Sequence, residues 1–155
     1  MRYLVQERIF SIRADFWIED EAGHRVYHSG DTAYFDGFKE IGRRLHPQIA
    51  LLPIGAYFPD TYRAVHTSPE EGLQAFVDVG AETMIPMHFG TFRLGREPME
   101  EPPVRLIEDA RRRGIEDRVR ILSEGETFIA ERKEEFAAGS VSGGTVSLAA
   151  ASNRK

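Results

Sequence analysis

Three side chains in this sequence stand where short apolar runs give way to loops, and each carries a group able to bind a cation or move a proton. They are Asp31 in Ser29-Gly30-Asp31-Thr32, His66 just ahead of Ser68-Pro69-Glu70-Glu71, and His88 in Met87-His88-Phe89-Gly90. A carboxylate and neutral imidazoles are the oxygen and nitrogen donors that divalent ions take, and imidazole also titrates near neutrality. Each residue taken singly has a plainer reading. An aspartate between strand and helix commonly caps the helix by accepting from free backbone N–H groups. A single histidine at a strand end is commonly a hydrogen-bonded structural residue. His66 lies close to a helix start, where the dipole favours anions, and by itself fits a surface histidine.

These residues need a scaffold that brings them together, and the sequence shows one. Residues 2–26 read as a meander of short strands at 3–5, 8–12 and 16–18, with Ala22-Gly23 as a turn before a strand at 25–27. Between residues 33 and 45 Tyr34, Phe38, Ile41 and Leu45 recur at helical spacing. The run 49–55 has no polar face, as expected of a strand covered on both sides. Ser68, Pro69 and Glu71 form an N-cap, a first-turn proline and a capping-box glutamate, predicting a helix over 69–79 stopped by Gly80. A short strand over 83–87 ends at His88. Pro102-Pro103 opens a third helix with Gly114 as its cap, and 119–122 and 126–131 flank Gly125 as a closing hairpin. The Ala-, Gly- and Ser-rich stretch 134–155 reads as a flexible tail. The alternation of strand and helix makes this an α/β chain.

Composition narrows the function. A net charge of −5 argues against a nucleic-acid binder, and the cluster Arg111–Arg113 falls at a helix end, where the dipole favours cations. There are no cysteines, so His, Asp and Glu are the only strong ligands available. No apolar run approaches the roughly 20 residues of a membrane span, and a cytoplasmic location is expected.

Four segments in order resemble the metallo-β-lactamase superfamily. They are Ser29 to Phe35, Leu51 to Tyr57, His66 to Glu71, and Pro86 to Phe92 with Glu97-Pro98. The subgroup most similar contains N-acyl-phosphatidylethanolamine phospholipase D and the ascorbate-phosphate lactonases. The resemblance implies the C-terminal half of an αββα sandwich over residues 27–133, preceded by a short β-meander over 1–26. It implies that Asp31 bridges divalent metal ions, zinc or manganese, that His88 is a further metal ligand, and that His66 is the catalytic histidine near the substrate. The activity implied is metal-dependent hydrolysis of a phosphodiester, phospholipid-like or lactone substrate.

The superfamily's first-half His-x-His-x-Asp-His motif has no counterpart here. His24 and His46 match no ligand motif, and His28 only neighbours one. The site is therefore expected to be incomplete as a single chain, with the remaining donors coming from a second copy or a separate N-terminal half. The alternative is a catalytically inactive half-domain serving as a binding or oligomerisation module. The opening Met1 to Ile12 with Asp15 to Glu21 resembles a different family, the LURP-one-related proteins of tubby-like fold.

Overall fold

Five strands hydrogen-bond in chain order into one mixed sheet in the computed structural model, which describes residues 2–7, 14–21 and 23–130. Strands β1 (Arg2–Glu7), β2 (Ala14–Glu19) and β3 (Arg25–His28) run antiparallel to one another. Strands β4 (Ile49–Pro53) and β5 (Thr83–Met87) continue parallel to β3. Parallel neighbours need crossovers, and helices α1 (Gly37–Leu45) and α2 (Pro69–Val79) provide them. Helix α3 (Glu101–Arg112) follows β5 and packs on α2. This is the α/β architecture expected, with the β-meander leading into a sheet covered by helices.

The register sorts the strand residues into rows. Trp17, Tyr27, Ala50 and Met84 stand opposite one another across β2 to β5, and Tyr27, Ala50 and Met84 are fully buried. They pack with Phe38, Leu73, Phe76 and Leu106 in a single core beneath the helices. Burying side chains of this size contributes roughly 1.5–3 kcal/mol apiece. The next row, Phe16, His28, Leu51 and Ile85, points to the other face.

Local chemistry sets the helix ends. The Ser68 side chain accepts from the Glu71 backbone N–H, the Glu71 carboxylate accepts from Ser68 N–H, and Gly80 leaves α2 at φ +70. A Cβ on Gly42 would lie 2.2 Å from the Val79 carbonyl, so glycine lets α1 close on the end of α2.

Two expectations are corrected. Helix α1 starts at Gly37 rather than near residue 33. Residues 32–35 are held as loop by tertiary bonds, with Thr67 Oγ1 donating to the Thr32 carbonyl and Tyr34 donating to Asp78 at 2.6 Å. The closing hairpin does not form among the described residues. Val119 instead makes one parallel bridge to Met84, and Arg120 N–H donates to the Met84 carbonyl at 2.9 Å. Its turn is present, with Glu126 N–H on the Ser123 carbonyl, but β5 has engaged the first arm, and Ile129 on the second stays 80% exposed. The expected strand at 8–12 and the tail 134–155 lie outside the described residues. No helix among the described residues is long and apolar enough to cross a membrane.

Candidate functional site

The carboxyl ends of β3, β4 and β5 converge, and the three sequence-selected residues meet there. Ser29 N–H donates to the Leu51 carbonyl at 3.2 Å, and Gly30 turns the chain at φ +63 to present Asp31. His88 leaves β5 at φ +61, in the left-handed region. For a non-glycine residue that conformation costs on the order of 1 kcal/mol and persists only where its surroundings impose it. The surroundings here are tight: a Cβ on Gly55 would lie 2.1 Å from the His88 carbonyl.

His88 Nδ1 lies 3.1 Å from Asp31 Oδ1 in a hydrogen bond. His66 comes from the loop before α2, its backbone N–H on the Tyr62 carbonyl, and its Nδ1 lies 3.4 Å from the same Asp31 oxygen. That approach has ion-pair distance without hydrogen-bond geometry, and His66 Nδ1 is itself buried with no hydrogen-bond partner. One carboxylate oxygen thus stands between two imidazoles. Asp31 and His88 remain open to solvent, at 61% and 34% side-chain exposure, so a ligand can reach them.

Sequence reasoning passed over two neighbours. His28, on β3, sits with its ring 6.5 Å from that of His88 and accepts from Gly30 N–H at 3.0 Å. Burial, and then the facing His88 imidazole, push its pKa down, so His28 favours the neutral form. No sequence spacing points to this contact, because it depends on the register of β3, β4 and β5. The second is Glu97, a buried carboxylate that accepts from Ala56 N–H at 2.6 Å and Phe58 N–H at 3.2 Å. It braces the loop after β4, in which Ala56 also has positive φ. Its only sequence signal was membership of the segment around Glu97-Pro98. A cleft of about 20 Å³ lies between these parts, lined by His88, Ala56, Phe92 and Glu97 among others.

Comparison with known proteins places the geometry. The beta-lactamase superfamily domain profile matches residues 11–89, just over half of the chain. The chain belongs to the metallo-β-lactamase superfamily. The chain is similar to an uncharacterised Mycobacterium tuberculosis protein, Rv0906, 42% identical over 98 residues that are 59% of this chain and 25% of that one. A UPF0173 metal-dependent hydrolase of Rubrobacter xylanophilus is 36% identical over 111 residues, 72% of this chain and 41% of the relative. Among solved structures, Igni18, a metallo hydrolase of Ignicoccus hospitalis, superposes with TM-score 0.61 at 30% identity, over 77% of this chain and 46% of that one. The chain therefore spans less than half the length of each of these three proteins.

The donor set bears directly on a metal. Asp31 and His88 have the right chemistry for a divalent ion, yet among the described residues no group of three or more His, Cys, Asp or Glu is placed to hold one. Zinc ordinarily takes about three or four protein donors. The described residues include donors suited to a divalent ion and do not by themselves complete a site for one.

Proposed function

We propose that this chain is the C-terminal half-domain of a metal-dependent hydrolase, contributing Asp31 and His88 to a divalent-metal centre that further donors complete. The observation that carries this reading is the Asp31 carboxylate standing between His66 and His88 at the carboxyl end of the parallel strands. In open α/β sheets ligands bind in that position, where loops from several strands converge. Membership of the superfamily and the metal-dependent hydrolase name of the Rubrobacter relative support it.

In this reading the chain's own residues do three things. Asp31 accepts from His88 and fixes the direction of that ring, leaving Nε2 free. Gly55 and Glu97 hold the loops that define the cleft beside His88. His66, whose side chain stays 25% exposed beside Asp31, is the group proposed to orient or protonate an anionic part of a substrate. The substrate class proposed is a phosphodiester, phospholipid-like molecule or lactone, the metal zinc or manganese, and the location cytoplasmic. Residues 27–133 would be the hydrolase-derived unit and 1–26 an added β-meander.

The shortfall of donors favours one second reading, a catalytically inactive module that retains the fold for binding or oligomerisation. Zinc and manganese titration of the purified chain beside Asp31→Ala and His88→Ala separates the two. The hydrolase reading expects binding by the wild type that weakens about tenfold or more in both variants. Binding that is absent, or indifferent to both substitutions, leaves the module reading.

A further inference from the structure

A second cavity, of about 1120 Å³, lies at the amino ends of β3, β4 and β5. Asp31 and His88 follow the carboxyl ends of these strands, and five strand residues of about 3.3 Å each set the two places about 17 Å apart. The cavity is bounded by a polar row, Glu19, Arg25, Gln48 and Glu82, which continues the helix-side row of Trp17, Tyr27, Ala50 and Met84 one step beyond the core. Gln48 is tied to Arg25 twice: Arg25 N–H donates to Gln48 Oε1 at 2.5 Å, and Gln48 N–H donates to the Arg25 carbonyl at 2.9 Å. Arg43 near the end of α1, Asp78 and Val79 at the end of α2, and Phe128 add to the lining.

Two residues that line this cavity each carry a buried polar atom with no hydrogen-bond partner, and the two atoms are of opposite kind. Arg25 Nε bears a hydrogen and is an unfilled donor. His24 Nδ1 lies 2.7 Å from Asp20 Oδ2, and an ionised carboxylate only accepts, so a neutral His24 ring keeps its hydrogen on Nδ1 and leaves Nε2 an unfilled acceptor. Burying such groups unfilled is unfavourable, so a ligand that fills both gains from each. Arg25 also stands directly opposite Glu19 in the register of β2 and β3, about 5 Å away, where opposite charges ordinarily pair. No ion pair closes between them among the described residues, and both side chains line the cavity.

We propose that this cavity binds a short peptide with free termini, its carboxylate taken by Arg25 and its ammonium group by Glu19 and His24 Nε2. The charges of the lining select a zwitterion. A phosphate or other polyanion would face the carboxylates of Glu19, Asp78 and Glu82 with Arg25 as the principal cation, because Arg43 is held by Glu40 at 2.7 and 2.8 Å. A simple cation would leave Arg25 Nε unfilled. The carboxyl ends of α1 and α2 reach the cavity, and the helix dipole there favours the positive end of such a ligand. Size selects a peptide over a single amino acid, since pockets for small molecules occupy roughly 300–1,000 Å³ and this one is at the top of that range. Ile49, Val79 and Phe128 offer apolar surface for the peptide's side chains. The inference does not depend on the metal-centre reading.

Isothermal titration calorimetry of the whole chain with leucyl-leucine tests it, beside N-acetyl-leucyl-leucine, which lacks the ammonium group, and leucyl-leucine amide, which lacks the carboxylate. The expected result is millimolar or tighter binding of the free dipeptide, weakened about tenfold or more by either blocking group, the factor a charge-assisted hydrogen bond supplies. Arg25→Met and Glu19→Gln should each weaken the free dipeptide to a similar degree, while Asp31→Ala at the far end of the sheet leaves its affinity unchanged. Trp17, the only tryptophan, stands two residues before Glu19 on β2, so its fluorescence should change with the same midpoint. The three peptides are compared on the unaltered chain, so they decide the matter even where Arg25→Met fails to fold. No binding of leucyl-leucine at millimolar concentration, equal binding of the three peptides, or loss of binding in Asp31→Ala overturns the inference.

Discussion

His88 Nδ1 and Asp31 Oδ1 lie 3.1 Å apart although 57 positions separate the residues in sequence. The pair is largely exposed, and exposed pairs of this kind contribute under about 1 kcal/mol to folding. Its removal should therefore cost little stability while removing the two donors proposed for a metal. His88 also holds φ +61, which glycine adopts freely. His88→Gly should fold more stably than His88→Ala by about 1 kcal/mol in urea denaturation, with metal affinity reduced alike in both. Equal stability of the two variants would show that the backbone at this position stores no strain.

Glu97 should matter for folding more than its place in a loop suggests. Glu97→Ala strips the acceptor from the buried Ala56 N–H and should lower stability by about 1–3 kcal/mol, whereas Glu97→Gln keeps one acceptor oxygen and should cost less. Urea denaturation of both variants checks the order, and an Ala variant as stable as wild type would remove Glu97 from the framework of the site.

The His28 imidazole should titrate below its usual value in chelator-treated protein, followed by proton NMR. Burial is the larger cause and the His88 charge the second, so His88→Ala should raise the midpoint without restoring the ordinary one. A midpoint unmoved by His88→Ala would separate the two rings electrically.

Acid should loosen the start of α2. Burial alone would raise the Glu70 and Glu71 carboxyls, but the Arg105 bonds to Glu70 and the Arg63 bonds to Glu71 outweigh it and hold both below the ordinary range. Depressed carboxylates bind fewer protons folded than unfolded. Their contribution is complete above the unfolded glutamate pKa of about 4.3 and is lost as pH falls through the lower folded values. Arg105→Met should shrink that acid-induced loss in thermal melts between pH 6 and 3, about the span where these groups titrate. A loss of the same size would place the acid sensitivity elsewhere.

Ser68→Ala removes the Glu71 N–H acceptor at the start of the helix that follows His66 and should cost about 1 kcal/mol. Ser68→Asp, which retains an acceptor, should recover most of it in the same thermal melts.

How much was legible in the sequence varied with how local the cause is. Helix α2 and strand β5 have the expected limits because their signals are short-range: a capping box, a first-turn proline, a left-handed glycine and an apolar run of strand length. Helix α1 starts later because Tyr34 and Thr32 are engaged by Asp78 and Thr67, residues 44 and 35 positions away. The hairpin after α3 was misread for a related reason. Its first arm can bond either to the segment after Gly125 or to β5, and Met84 takes it.

The sequence by itself determined the α/β alternation and the absence of thiolate ligands, because residue type and near-neighbour spacing carry that information, while Asp31, His66 and His88 were singled out only through the ordered segments that resemble the superfamily. Tertiary structure alone decided that the three meet at one carboxylate oxygen, that His28 joins them, and that Glu97 is buried beneath the adjoining loop. It also decided which face of the sheet the helices cover. Strand register and crossover place residues dozens of positions apart within a few ångströms, and neither is written in any local run of the chain.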